Sequence, residues 1–231
     1  MNGEYISRAA ALRNALESVL SNNVRPLLKS HGFAKSGRPF RRSRGPLYDM
    51  INFQGSKWNG VAPHYGFFVN VGVGSSEMDA VYCSRPDAGE PMREDVLDRR
   101  WETLVPDVPS EVAFDETTDM DMFADTLCTN LTRVLTTIDA IDTTAVLTQW
   151  AIDNSWLHRM EKTCAYLAAT DDSDRLVAYV SKIRNRFGDS ARWPKLNRTL
   201  LDVTGPLAPS LQQLRVLDPA DASHSAGTDR T

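Results

Sequence analysis

The sequence predicts an α+β fold. It is an antiparallel sheet of four or five strands packed by an N-terminal helix and a later helix, followed by a C-terminal helical part. Three observations predict it. Apolar residues from Ile6 to Leu28 recur near the helical period. Between Arg38 and Gly74, apolar and polar residues alternate, and the links between runs are short and turn-rich. From Thr118 the helical period returns and persists to about Leu201. The expected division is residues 1–140 for the α+β domain, 141–205 for a helical extension and 206–231 for a mostly disordered tail.

The first helix carries Leu12, Leu16, Val19, Leu20, Leu27 and Leu28 on one face. Pro26 lacks an N–H and its ring presses on the preceding turn, so a break is expected near Asn22 and Asn23. Gly32 fits a left-handed C-terminal cap, with Phe33 packing back onto the helix. Strands follow at Arg38–Arg44 and Leu47–Gln54, joined by the turn signal Gly45-Pro46. After a polar loop, "HYGFFVNVGVG" alternates Phe67, Val69, Val71 and Val73 with Phe68, Asn70 and Gly72, as a half-buried strand does. Asp79–Cys83 reads as one more short strand in an antiparallel meander.

The later helices begin with Thr118 and Asp121, which resemble a capping box. Phe123, Leu127, Leu131, Val134 and Ile138 mark the face of the helix they open. Leu147, Trp150, Leu157, Met160, Cys164 and Leu167 mark a second helix, and Leu176, Val180, Ile183 and Phe187 a third that stops at Gly188. A fourth covers Arg192 to Leu201. From about Asp218 the chain is small and polar, with too little apolar surface to offset the entropy of ordering.

Composition bounds the function. The chain has 231 residues, 42% hydrophobic and 24% charged, with a net charge of −4, so no global basic field marks a nucleic-acid binder. The charge is unevenly placed: Ser18–Tyr48 holds seven Lys or Arg and no acid, and Glu102–Asp125 holds eight acids and no Lys or Arg. Cys83, Cys128 and Cys164 have no ligand or disulfide spacing, so neither a structural metal nor a disulfide framework is expected. No stretch approaches the ~20 apolar residues of a membrane span, and charges at Glu4, Arg8 and Arg13 interrupt any signal core. A cytoplasmic protein with no membrane partner is expected.

The chemical candidates are few. Arg38, Arg41, Arg42 and Arg44 could clamp a phosphate, since guanidinium groups bind it bidentately. The ordinary reading is a charged edge strand that blocks edge-to-edge pairing. In that case all four are mainly exposed and only Phe40 is buried. Gln54 and Asn70 are amides within apolar strands, and either line one polar sheet face or satisfy buried backbone groups. Trp58 lies in the loop between those strands, and His64 lies where it re-enters a strand. "VGVGSS" lacks the third glycine and the lysine of a phosphate loop, so it reads as a strand end. The acids Asp115, Asp119 and Asp121 suit a helix N-terminus. No catalytic, metal or cofactor residues are assigned.

The segments "LLKSHGFAKSGRPFRR", "INFQGSKWN", "FFVNVGV" and "RRWETLVPD" together resemble the bacterial DUF 4304 family across roughly residues 5–138. The residues that carry the resemblance are Leu28, Gly32, Phe33, Phe40, Arg41, Asn52, Gln54, Asn70, Gly72, Arg99 and Arg100. It implies an α+β domain and a bacterial source, and transfers no activity. Arg99 and Arg100 complete the set of binding candidates. The expected function is a non-catalytic binding or interaction protein, immunity-like or accessory, whose partner is another protein. The alternative is a nucleic-acid or phosphate-ligand binder using the basic strand 35–44.

Overall fold

The computed structural model describes residues 2–84, 93–154 and 157–219, with side chains from Arg8 onward. The chain divides into two units: Met1–Ser76 with Leu97–Leu147, and Glu77–Val96 with Thr148–Thr231.

In the first unit, α1 (Asn2–Val19) runs through a π turn (Leu20–Val24) into α2 (Arg25–Ser30). Leu12, Leu16, Val19, Val24 and Leu28 form its buried stripe. The break expected at Asn22 and Asn23 is instead this wide turn, in which the Arg25 N–H donates to the Leu20 carbonyl five residues back. Pro26 explains it: the widened turn moves aside the carbonyl its ring would strike and tolerates the missing donor. Gly32 adopts φ 84°, and the Phe33 N–H reaches back to the Leu28 carbonyl at 2.9 Å. Phe33 is buried, so the expected cap is present.

The sheet is antiparallel, in the order β1 (Ala34–Lys35), β2 (Phe40–Arg44), β3 (Leu47–Gly55), β4 (Tyr65–Ser75), β5 (Leu97–Arg100), with β6 (Val112–Phe114) also on β4. The fold is thus α+β, with six strands among the described residues. β4 is central: β3 pairs along one side from Gly55↔Phe67 to Leu47↔Ser75, and β6 and β5 share the other side. Its alternation decides this, since Phe67, Val69, Val71 and Val73 are fully buried on one face and burying each such side chain contributes about 1.5–3 kcal/mol. On the opposite face Tyr48 stands against Gly74, where any Cβ would overlap its ring. "VGVG" is therefore the end of a strand whose glycine makes room for a tyrosine.

α4 (Met120–Asp139) buries Leu127, Leu131, Val134, Leu135 and Ile138, and Phe123 meets Phe67 and Phe114 at ring-centroid distances of 6.3 and 5.0 Å. Its cap is Asp119, which accepts the Asp121 and Met122 N–H groups, and not the Thr118–Asp121 box. Thr118 is occupied elsewhere: its hydroxyl accepts the Asp115 N–H at 3.0 Å. Asp115 accepts from the hydroxyl and N–H of Thr117, and these bonds hold its carboxyl below the ordinary range.

The second unit is helical. Residues 79–83, expected as a strand, lie in α3 (Ser76–Cys83), which buries Met78 and carries Glu77 and Asp79 in its first turn, where acids offset the dipole. The unit also holds the end of α5 (Thr144–Asp153), then α6 (Met160–Ala169), α7 (Ser173–Phe187), α8 (Trp193–Thr204) and α9 (Ala208–Gln213). One expected helix over Leu147–Leu167 is thus two, separated where Arg159 takes φ 55°. Cys164, Leu176, Tyr179, Ile183, Trp193 and Leu200 lie in its core. Lys162 is buried as well, held by Asp79 at 2.5 Å and Glu94 at 3.4 Å.

Beyond 205, where disorder was expected to begin, α9 continues the unit, and Leu211 and Leu217 are buried. Asp218 accepts the Trp193 indole N–H at 2.6 Å and pairs with Arg184 at 2.8 Å. Its N–H donates to Asn197 at 2.9 Å. The expected disorder of residues 220–231, and His224 within it, lie outside the described residues.

Candidate functional site

The basic run divides by strand alternation. Phe40, Arg42 and Arg44 point to the helix-covered face, and Arg41 points to the other. Contrary to expectation, Arg42 and Arg44 are not mainly exposed: their side chains are 8% and 22% accessible and enclose Asp49, which is fully buried. Arg42 Nε donates to Asp49 at 2.5 Å, and Arg44 Nε at 2.7 Å. The remaining donors reach helix ends. Arg44 binds the carbonyls of Ile138 and Ile141 at 2.9 and 2.6 Å, while Arg42 binds the His31 carbonyl at 3.1 Å and the Asp139 carboxylate. These two cations thus bond carbonyls at and just beyond the ends of α2 and α4, where the helix dipole favours positive charge.

Arg38 escapes this arrangement and lines a groove of about 800 Å³ in the first unit. One wall is a helical stripe, Arg13, Glu17, Ser21 and Arg25, spaced four residues apart along α1, the π turn and α2. The opposite wall is the end of β3, Asn52–Gly55. Lys35 and Arg38 join from the β1–β2 turn, and Phe40 and Tyr65 lie deeper. Four cations therefore surround the groove with one carboxylate, Glu17. All four are exposed.

The loop from β3 to β4 closes the end of the groove with Ser56, Asn59 and Gly60. Asn59 fixes it by imitating a strand: its Oδ1 accepts the Gly66 N–H at 2.7 Å and its Nδ2 donates to the Gly66 carbonyl at 2.8 Å. The loop presents Trp58 and Val61, 58% and 69% exposed, with the Lys57 ammonium 4.9 Å from the Trp58 ring centre. His64 is exposed where the loop ends.

The other candidates lie apart from the groove or at its margin. Asn70 and Gln54 do share the sheet face away from the helices, and Asn70 Nδ2 donates to Gln54 Oε1 at 3.0 Å. Gln54 also lines the groove. Arg100 joins that face with its guanidinium 3.6 Å from the Phe68 ring centre. Arg99 pairs with Val71 and so belongs to the helix-covered side. Sequence reasoning missed Arg13, Arg25 and Asn59, and reached Lys35 only as the start of the basic strand 35–44. The acid-free stretch from Ser18 to Tyr48 contained a signal for two of them, since Arg25 and Lys35 lie within it.

Among the described residues no group of three or more His, Cys, Asp and Glu is placed to hold a metal ion, and no helix is long and apolar enough to cross a membrane. Cys164 is buried, which pushes its thiol pKa far up. A family model described as a domain of unknown function, DUF4304, matches residues 24–141. Neither a curated protein nor a solved structure matches the chain.

Proposed function

Since the chain belongs to the DUF4304 family across residues 24–141, we propose that it is a non-catalytic bacterial binding protein. In this reading it acts in the cytoplasm as an immunity-like or accessory factor that holds another protein. The observation that carries the reading is the groove: four exposed cations and one carboxylate beside an exposed tryptophan. Such a surface suits electrostatic recognition, in which charge guides encounter and an aromatic anchor supplies contact area. The loop that bears Trp58 is tied down by Asn59, so the anchor is preorganised and little ordering entropy opposes binding.

The test is affinity capture from bacterial extract with the wild-type chain and with a double variant, Arg25→Glu with Arg38→Glu. The captured protein is then purified and the complex rebuilt from two components. The expected result is a 1:1 complex that the double variant weakens by tenfold or more. Binding of single-stranded DNA or RNA that falls steeply with salt, with no protein complex, would replace this reading with a nucleic-acid one.

A further inference from the structure

Resting on that reading, we infer that the groove takes an extended acidic segment of the partner as an added strand on the edge of β3. The backbone of β3 dictates this. The Ser56 N–H donates to the Gly66 carbonyl at 2.8 Å, across the β3–β4 pair. Amides alternate in direction along a strand, so Gln54 and Asn52 also point to β4. Phe53 and Gly55 point the opposite way, toward the groove.

On that side the ladder stops early. β2 pairs with β3 from Arg44↔Leu47 to Phe40↔Ile51 and no further, while β4 continues to Gly55↔Phe67. Pro39 ends it. Its backbone faces away from β3, and its carbonyl takes the Ser36 N–H at 2.9 Å, turning the chain into β1. Among the described residues no strand lies beside Phe53 and Gly55, whose N–H and C=O groups face that edge. Such an edge accepts a peptide by main-chain hydrogen bonds, with pockets for alternate side chains giving specificity.

The surroundings choose the peptide. The groove volume of about 800 Å³ holds a short extended segment. A strand laid beside Phe53 and Gly55 directs alternate side chains to the two sheet faces. One set meets the helical stripe with Arg13 and Arg25, and the other lies beside Asn52 and Gln54. Lys35 and Arg38 stand over the same edge. Four cations against one carboxylate repel a basic strand and favour an acidic one.

The probe is an acetylated and amidated hexapeptide alternating glutamate with valine, titrated into the full-length protein labelled with 15N. The inference expects saturable binding. Amide hydrogen exchange at Phe53 and Gly55 should then slow by tenfold or more. N-methylation of the peptide on alternate amides, which removes the edge donors, should weaken binding by tenfold or more, and so should Arg25→Glu with Arg38→Glu. A hexapeptide alternating lysine with valine should not bind. Binding that leaves the Phe53 and Gly55 amides unprotected and ignores N-methylation would overturn strand addition while leaving a protein-binding surface in place. No binding of the acidic hexapeptide would overturn the inference, and the rebuilt complex would still judge the broader reading. Binding of single-stranded DNA in its place would overturn both.

Discussion

Arg41 and Arg42 are neighbours in β2 and differ in role because a strand alternates its side chains between two faces. Arg41 is exposed, while Arg42 and Arg44 enclose the buried Asp49. Removing one member of a buried charge set leaves the others without compensation, at roughly 3–5 kcal/mol. Asp49→Ala should therefore destabilise by about 3 kcal/mol or more in urea denaturation, whereas Arg41→Ala should stay within about 0.5 kcal/mol of wild type. The sequence made Phe40's burial legible, because an aromatic between charges marks one strand face. It did not reveal what Arg42 and Arg44 do. Their partners are Asp49, which looks like any polar strand residue, and the carbonyls of Ile138 and Ile141 and the carboxylate of Asp139, some ninety residues away.

At the scale of elements, α4 and β4 were readable because each keeps a clean period: α4 buries one stripe, and the large apolar side chains Phe67, Val69, Val71 and Val73 of β4 fall on one face. Leu127 and Leu131 on α4 are 2% and 0% exposed, and Phe123 on the same helix meets Phe67 of the sheet. Leu127→Ala should cost about 2–5 kcal/mol, measured as a shift in urea midpoint at unchanged slope. α3 was not readable, since "DAVYC" is too short for periodicity to separate strand from helix. The π turn was hidden for a different reason. Pro26 announced a disturbance in the helix, but a break and a widened turn both relieve it. The groove was illegible at this scale as well, because its walls come from a helix, a strand end and a loop that share no motif.

At the scale of the whole molecule, the last described stretch of the chain is held by Asp218. Its carboxyl lies below the ordinary value of 3.8, first because it accepts the Trp193 indole N–H and second because it bonds Arg184. A carboxyl lowered by folding stabilises the fold above its unfolded value, and that contribution disappears as pH falls through the lowered folded value. Asp218→Asn should therefore flatten the acid limb of stability below about pH 4, read from thermal melts at falling pH. Deleting residues 219–231 should change stability by no more than about 0.5 kcal/mol. Deleting one residue more removes the bonds to Trp193, Asn197 and Arg184 and should cost about 1–2 kcal/mol.

The division of the chain has a consequence for its birth on the ribosome. Residues 77–96 belong with residues from 148 onward, so they are translated long before the rest of their unit. Val81 and Tyr82 pack against the helical core in the finished protein, yet all of 97–147 must emerge before that core begins to appear. At about 5–20 residues per second that delay lasts several seconds. During it, the sheet-bearing unit has its full complement of strands and helices while carrying an unsheltered apolar excursion. A nascent chain stalled near residue 147 is therefore the form most exposed to aggregation and the natural client of a chaperone at the exit tunnel.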